Sequence, residues 1–180
     1  MNRLTLRDSL FIGFCAVFLL VTKGALRWHL GISGHVMFVT VFFLMLARSC
    51  VAVGVAATFT ALLAGIGAAA FGMGMKGPVA LLLNFVLPGA TIDAGARIVP
   101  GLFTSYPKCA VIGAIAGATK FASTAAADLM IGMDRSVLVS HALLESLGAV
   151  AFGIAGALCI PPVLRRLEAR GVIAAGAASR

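Results

Sequence analysis

Residues 109–131 read CAVIGAIAGATKFASTAAADLMI, an apolar stretch in which Lys120 and Asp128 are the only charged residues. A helix of about 20 residues spans a hydrocarbon core of about 30 Å, and this stretch is long enough. Because lipid offers the backbone no hydrogen-bond partner, a spanning segment must satisfy its own peptide groups, which a helix does. The stretch therefore predicts a transmembrane helix.

The composition of the whole chain agrees with this prediction. Of 180 residues, 61% are hydrophobic and 11% are charged, whereas soluble domains are about half apolar and about a quarter charged. We therefore expect an all-α integral membrane protein, folded as a compact bundle of six transmembrane helices. Residues 1–163 are expected to form this domain, and residues 164–180 a basic, frayed tail. The predicted spans are 9–26, 35–47, 49–71, 78–99, 109–131 and 139–163.

The Lys and Arg residues predict the orientation of the chain. With both termini inside, nine of them fall in inner segments and four in outer segments, and positive charge retains loops on the cytoplasmic side. We therefore expect a multi-pass protein of the cell (cytoplasmic) membrane with cytoplasmic N and C termini. Basic residues at span ends also explain the net charge of +8. They do not form the basic stripe that a nucleic-acid partner requires.

Small residues recur at four-residue spacing in the last two predicted spans. Gly113 and Gly117 are one such pair, and Ala149, Gly153 and Ala157 form a similar series. This spacing lets helix backbones approach closely. We expect these residues to pack helices against each other inside the bundle.

Asp93 and Arg97 are charged residues within the fourth predicted span, where an unpaired charge costs several kcal/mol. They are four residues apart with the acid first, which is the favourable order for an ion pair on one helix. The pattern predicts a self-neutralising pair near the inner end of the span. The alternative is a contact with a partner subunit on the cytoplasmic side.

A second polar set is expected near the outer face. Lys120, Thr124 and Asp128 recur every four residues and form one stripe on the fifth span. A ligand cavity needs a few polar groups amid apolar walls, whereas charges at span ends can also be simple snorkelling anchors. We predict an outward-opening cavity to which the first loop and the fourth and sixth spans also contribute. The predicted ligand-binding residues are Lys120, Asp128, Glu145, Asn84, His29 and His35.

Metal and catalytic sites are not expected. His29, His35 and His141 could in principle bind a transition metal, but their spacing is not diagnostic. The four cysteines lack metal-type spacing and are expected to be free thiols. The sequence contains no nucleophile elbow, no zinc-protease motif and no phosphate loop. We therefore predict neither an enzyme nor a resident cofactor, and any active transport must take its energy from a partner.

Three segments carry a resemblance to a known family. They are residues 34–41 (GHVMFVTV), residues 76–78 (KGP) and residues 87–93 (LPGATID). Together with six short spans in a chain of this size, they resemble the S components of energy-coupling factor (ECF) importers over residues 10–163. One departure concerns the first helix, where many members carry Ala-x-x-x-Ala and this chain has Ser9 and Gly13.

The resemblance implies a membrane protein that captures a vitamin, a vitamin precursor or a metal ion from outside. Such a subunit works with a transmembrane coupling protein and two cytoplasmic ATPases, and its ligand lies toward the outer side beneath the first loop. The residues leave open another function, a self-sufficient channel or proton-coupled carrier that uses Asp93, Lys120 and Asp128 as a relay.

Overall fold

The computed structural model describes residues 5–27, 34–73 and 77–171, and no strand occurs within these ranges. A helix occupies each apolar stretch, and a short 3-10 turn (Leu102–Thr104) precedes the fifth helix. The all-α prediction is confirmed for the described residues. The helices are α1 (Leu6–Arg27), α2 (Val36–Cys50), α3 (Ala56–Ala70), α4 (Pro78–Ile98), α5 (Tyr106–Met130), α6 (Arg135–Leu158) and α7 (Ile160–Ala169).

Within the described ranges, four helical segments are long and apolar enough to cross a membrane. They lie in α1, α4, α5 and the stretch Arg135–Ala169, which contains both α6 and α7. This is compatible with a multi-pass membrane protein. α2 and α3 are also apolar but have only 15 residues each. This is short of the roughly 20 residues that a full crossing needs.

The short helix α2 forms the centre of the bundle. It contacts each of the other six helices, and its side chains Leu44 and Met45 are fully buried. α1 behaves differently, because Leu10, Phe14 and Val21 leave a large apolar face exposed along one side. An exposed apolar face of this kind suits contact with lipid.

α3 begins at Ala56, later than the start of the predicted span 49–71. The intervening residues 51–55 read VAVGV, and Val51 has an extended backbone. Valine loses rotamer freedom in a helix and glycine loses backbone entropy, so this segment favours a break between α2 and α3. The prediction overlooked this local preference because the stretch is uniformly apolar.

The last predicted span divides into two helices. α6 starts at Arg135 because the side chain of Asp134 accepts the N–H of Ser136 and caps its first turn. Pro161 stands in the first turn of α7, where proline is tolerated because no helical N–H bond is needed there. Leu164 is buried, so the tail predicted to be frayed from residue 164 continues as packed helix to Ala169. Residues 172–180 lie outside the described residues.

α5 and α6 form the largest helix–helix interface among the described residues. A Cβ added at Gly113 would lie 2.7 Å from the carbonyl oxygen of Gly153, and one added at Gly117 would lie 2.6 Å from that of Ala149. Real Cβ atoms do not approach oxygen so closely, so glycine is required at these points. The two small-residue series therefore face each other, and they pack helices together inside the bundle as the spacing predicted.

Gly153→Ala is expected to lower the free energy of unfolding by about 1–3 kcal/mol, since the new Cβ would lie 2.6 Å from the backbone oxygen of Gly113. The matched control is Gly13→Ala in α1, where nothing lies within 4 Å. There the exchange should be neutral or should stabilise the helix by about 0.5–1 kcal/mol. Thermal and denaturant unfolding in detergent measure both. Equal effects in the two variants would contradict the close α5–α6 contact.

Candidate ligand-binding cavity

A cavity of about 230 Å³ lies where α1, α2, α4, α5 and α6 meet. Four of the six residues predicted to bind a ligand line it, namely His35, Asn84, Lys120 and Glu145. Their positions are far apart in the chain, and the packing of the helices brings them together. Apolar wall is supplied by Val36, Met37 and Ala149.

Asn84 links α4 to α5. Its side-chain oxygen accepts hydrogen bonds from Lys120 Nζ at 3.1 Å and from Ser123 Oγ at 2.6 Å. A lysine ammonium can only donate, so the amide atom that faces it must be the oxygen. The orientation of the amide follows, and the NH₂ group of Asn84 points away from these two donors.

Glu145 links α6 to the same lysine. Its Oε2 lies 3.7 Å from Lys120 Nζ and accepts a hydrogen bond of 2.9 Å from Thr124 Oγ1. The side chains of Lys120 and Glu145 are each about a quarter exposed, at 28% and 27%. This pair is therefore neither sealed in the core nor on the open surface, and both groups can reach a molecule in the cavity.

Asp128 is fully buried and does not line the cavity. Its Oδ2 lies 2.8 Å from Nδ1 of His141, and Nε2 of the same imidazole lies 3.8 Å from Oε1 of Glu145. The prediction placed Asp128 in direct contact with the ligand. The structure shows its carboxylate in contact with the His141 ring, whose other nitrogen approaches Glu145.

Lys23 and Thr40 also line the cavity, although neither was among the predicted ligand-binding residues. The Lys23 ammonium lies 3.7 Å from the centre of the buried Phe85 ring, in cation–π geometry. The sequence places Lys23 within the first predicted span, beside the first loop, but a lysine near the end of a span also resembles a snorkelling anchor. Thr40 carried no signal, because a lone threonine is common in apolar helices.

Gly34 closes one edge of the cavity. It has a φ of +87°, a conformation that favours glycine. A Cβ at this position would lie 2.5 Å from the backbone carbon of Gly148 in α6. The chain that enters α2 is therefore pressed against α6 beside Ala149. His29 precedes this point and lies outside the described residues.

A metal site finds no support in the described part of the chain. No group of three or more His, Cys, Asp or Glu side chains there is arranged to hold a metal ion. The four cysteines are free, and Cys15 and Cys109 are buried in the bundle.

Asp93 and Arg97 do not form the predicted ion pair on one helix. The Asp93 carboxylate, only 3% exposed, accepts the N–H groups of Ala57 and Thr58 and the hydroxyl of Thr58. It also lies 3.4 Å from Nε of Arg48. Arg97 is exposed and donates to the carbonyl oxygen of Gly54.

The physical reason is the proximity of the α3 N-terminus. Its first N–H groups have no helical partner and favour a negative charge. Asp93 therefore joins α2, α3 and α4 in one cluster at the opposite end of the bundle from the first loop.

No family model, curated protein or solved structure matches the chain.

Proposed function

We propose that this chain is the substrate-binding membrane subunit of an ECF-type importer and captures a small molecule in the cavity beside the first loop. The observation that carries the proposal is the set Asn84–Lys120–Glu145, joined by one hydrogen bond and one ion pair, which links three helices and lines one cavity. A few convergent polar groups amid apolar walls are typical of small-molecule sites. Ionisable residues inside a membrane bundle are likewise typical of substrate sites.

The proposal places the first loop on the outer side of the cytoplasmic membrane, with both termini in the cytoplasm. The excess of Lys and Arg at the opposite end supports this orientation. The chain has no phosphate loop, so its energy would come from a transmembrane coupling protein and two cytoplasmic ATPases. The ligand, as the resemblance implies, is a vitamin or vitamin precursor.

The alternative is a channel or proton-coupled carrier that needs no partner. This function requires a relay of charged side chains through Asp93, Lys120 and Asp128. The contacts of Asp93 are with Arg48 and the start of α3, and they do not connect it to Lys120. The alternative therefore receives less support than ligand capture.

Mass spectrometry of small molecules that co-purify with the protein in mild detergent tests the proposal. We expect one compound at about one copy per chain from the wild type, and its loss from Lys120→Met. The matched control is Lys108→Met, because Lys108 is an exposed lysine that bonds to Pro100 outside the cavity. It should retain the compound. Circular dichroism and thermal unfolding show whether Lys120→Met is folded.

Transport into vesicles separates the two functions. Ligand capture predicts uptake only when the coupling protein, the ATPases and ATP are present. Flux through the purified chain alone would contradict the importer and favour the carrier. If feeding vitamin pools yields no retained compound and the complete assembly moves none, the capture function is wrong.

A further inference from the structure

We infer that the ligand of this cavity is a compact monocarboxylate, whose carboxylate is held by Asn84, Lys23 and Lys120 and whose apolar body packs on Val36, Met37 and Ala149. This inference deepens the proposed function, since it names the substrate class of the same site. It follows from the hydrogen-bond polarity, the charge and the size of the cavity.

The hydrogen-bond polarity favours an acceptor. The oxygen of Asn84 is occupied by Lys120 and Ser123, so any bond from this amide to a ligand must come from its two N–H groups. The Lys23 and Lys120 ammonium groups, which also line the cavity, can only donate. A ligand group that meets this set must be rich in acceptor oxygens.

The charge of the lining favours a single negative charge. Among the described lining residues, Lys23 and Lys120 are cations and Glu145 is the one carboxylate. Lys120 and Thr124 already contact Glu145, and the described lining side chains include one more cation than carboxylate, a surplus of one positive charge in that count. A cationic ligand would add to that surplus. A phosphate monoester, with about two negative charges near pH 7, would exceed it.

The position of Lys23 adds to this argument. Its ammonium lies against the face of Phe85, 3.7 Å from the ring centre. The buried ring holds the end of this long side chain on the face of α1 that is turned toward the bundle, at the cavity. The side chain therefore does not extend to the membrane surface. The cation–π contact therefore keeps the Lys23 ammonium beside the cavity, where it can donate a hydrogen bond to a ligand oxygen.

The size of the cavity sets the scale of the ligand. Its volume of about 230 Å³ is below the roughly 300–1,000 Å³ of sites for drug-sized molecules. The non-polar wall accepts a short aliphatic chain or one small ring. Large vitamins with several rings do not fit this volume.

Competition between matched probes tests the inference. Wild-type protein in lipid nanodiscs is mixed with equal amounts of 3-phenylpropionate, its primary amide, 3-phenylpropylamine and phenyl phosphate. A second mixture contains hexanoate and the amide, amine and phosphate of the same six-carbon chain. In parallel the protein is mixed with a total small-molecule extract of cells. Retained compounds are identified by mass spectrometry. We expect the acids to be retained about tenfold or more over the amides, amines and phosphate, and the extract to yield a carboxylic acid.

Two variants locate the effect. Lys23→Met should reduce retention of the acid about tenfold or more, and Lys23→Arg, which keeps the charge, should restore most of it. Glu145→Gln removes the one carboxylate among the described lining residues and should raise the ratio of acid to amide severalfold. Preferred retention of an amine, an amide or a phosphate would overturn the inference.

The outcomes also separate this inference from the proposed function. If a neutral or cationic compound is retained and lost on Lys120→Met, the cavity captures a ligand and only the substrate class is wrong. If nothing is retained from the probes or the extract, both the substrate class and the capture function fail.

Discussion

Asp93→Ala is expected to lower the free energy of unfolding by about 3–5 kcal/mol, the cost of breaking a buried ion pair by removing one partner. Without the carboxylate, the guanidinium of Arg48 loses its ion pair while its side chain is only 13% exposed. The N–H groups of Ala57 and Thr58 at the start of α3 also lose their acceptor. Thermal and denaturant unfolding in detergent measure this effect.

Arg97→Ala is the matched control for this prediction. Arg97 is exposed and makes one bond to the carbonyl oxygen of Gly54, so its removal should cost about 1 kcal/mol or less. If Asp93 and Arg97 formed the ion pair that their spacing suggests, both variants would be destabilised alike. Equal losses would therefore contradict the contact with Arg48.

A double variant sharpens the test. Arg48→Met combined with Asp93→Leu replaces both charges by apolar groups of similar size. Removing both partners of a buried pair is often nearly neutral, because no charge is left uncompensated. The double variant should therefore be more stable than Asp93→Ala alone, although the α3 N–H groups still lack their acceptor.

The case of Asp93 shows why local spacing misled the prediction. Arg97 is one helical turn away, so the sequence displays it as a partner, whereas Arg48 and the α3 N-terminus approach only after three helices pack. An unsatisfied helix start competes strongly for a carboxylate. The start of α3 was itself misplaced, because residues 51–55 are as apolar as the helices on either side. Because the start of α3 was predicted in the wrong place, its N–H groups could not be recognised as the partners of Asp93. The wrong ion pair therefore follows from the wrong helix start.

The cavity was more predictable than this cluster for a physical reason. An ionisable side chain inside a bundle needs a polar partner or water, so Lys120 and Glu145 had to find a polar environment at the same depth. Depth along each helix can be counted from the sequence, but rotation about the helix axis follows only from packing. This explains why Asp128 has the expected depth yet points to His141 instead of the cavity. It also explains why the predicted ligand-binding residues did not include Lys23.

Asn84→Asp is expected to lower affinity for the carboxylate ligand about ten-thousandfold or more, while the bundle remains folded. The aspartate keeps the oxygen that accepts from Lys120 and Ser123, but a second anionic oxygen replaces the NH₂ group. Two like charges about 4 Å apart repel by roughly 4 kcal/mol at an effective dielectric constant of about 20. Losing the hydrogen bond to a charged group costs about 1.5–3 kcal/mol more. Binding titrations with the retained acid measure the affinity.

Asn84→Leu provides the comparison that separates binding from folding. It removes the acceptor of Lys120 and Ser123 together with the NH₂ group, so it should lose affinity and should also unfold more easily, by about 1–3 kcal/mol. Asn84→Asp should instead unfold close to the wild-type temperature. A loss of stability in both variants would indicate that the amide supports the fold alone.

The exchange of one amide for a carboxylate should also change which ligand the cavity prefers. In the Asn84→Asp variant the new carboxylate balances the extra cation among the described lining residues. The cavity wall also gains an anionic acceptor. The primary amine of the same carbon skeleton should then be retained at least as well as the acid. If Asn84→Asp still binds the acid with wild-type affinity, the amide does not face the ligand. Lys23 and Lys120 would then be the two remaining proposed hydrogen-bond donors to the ligand carboxylate.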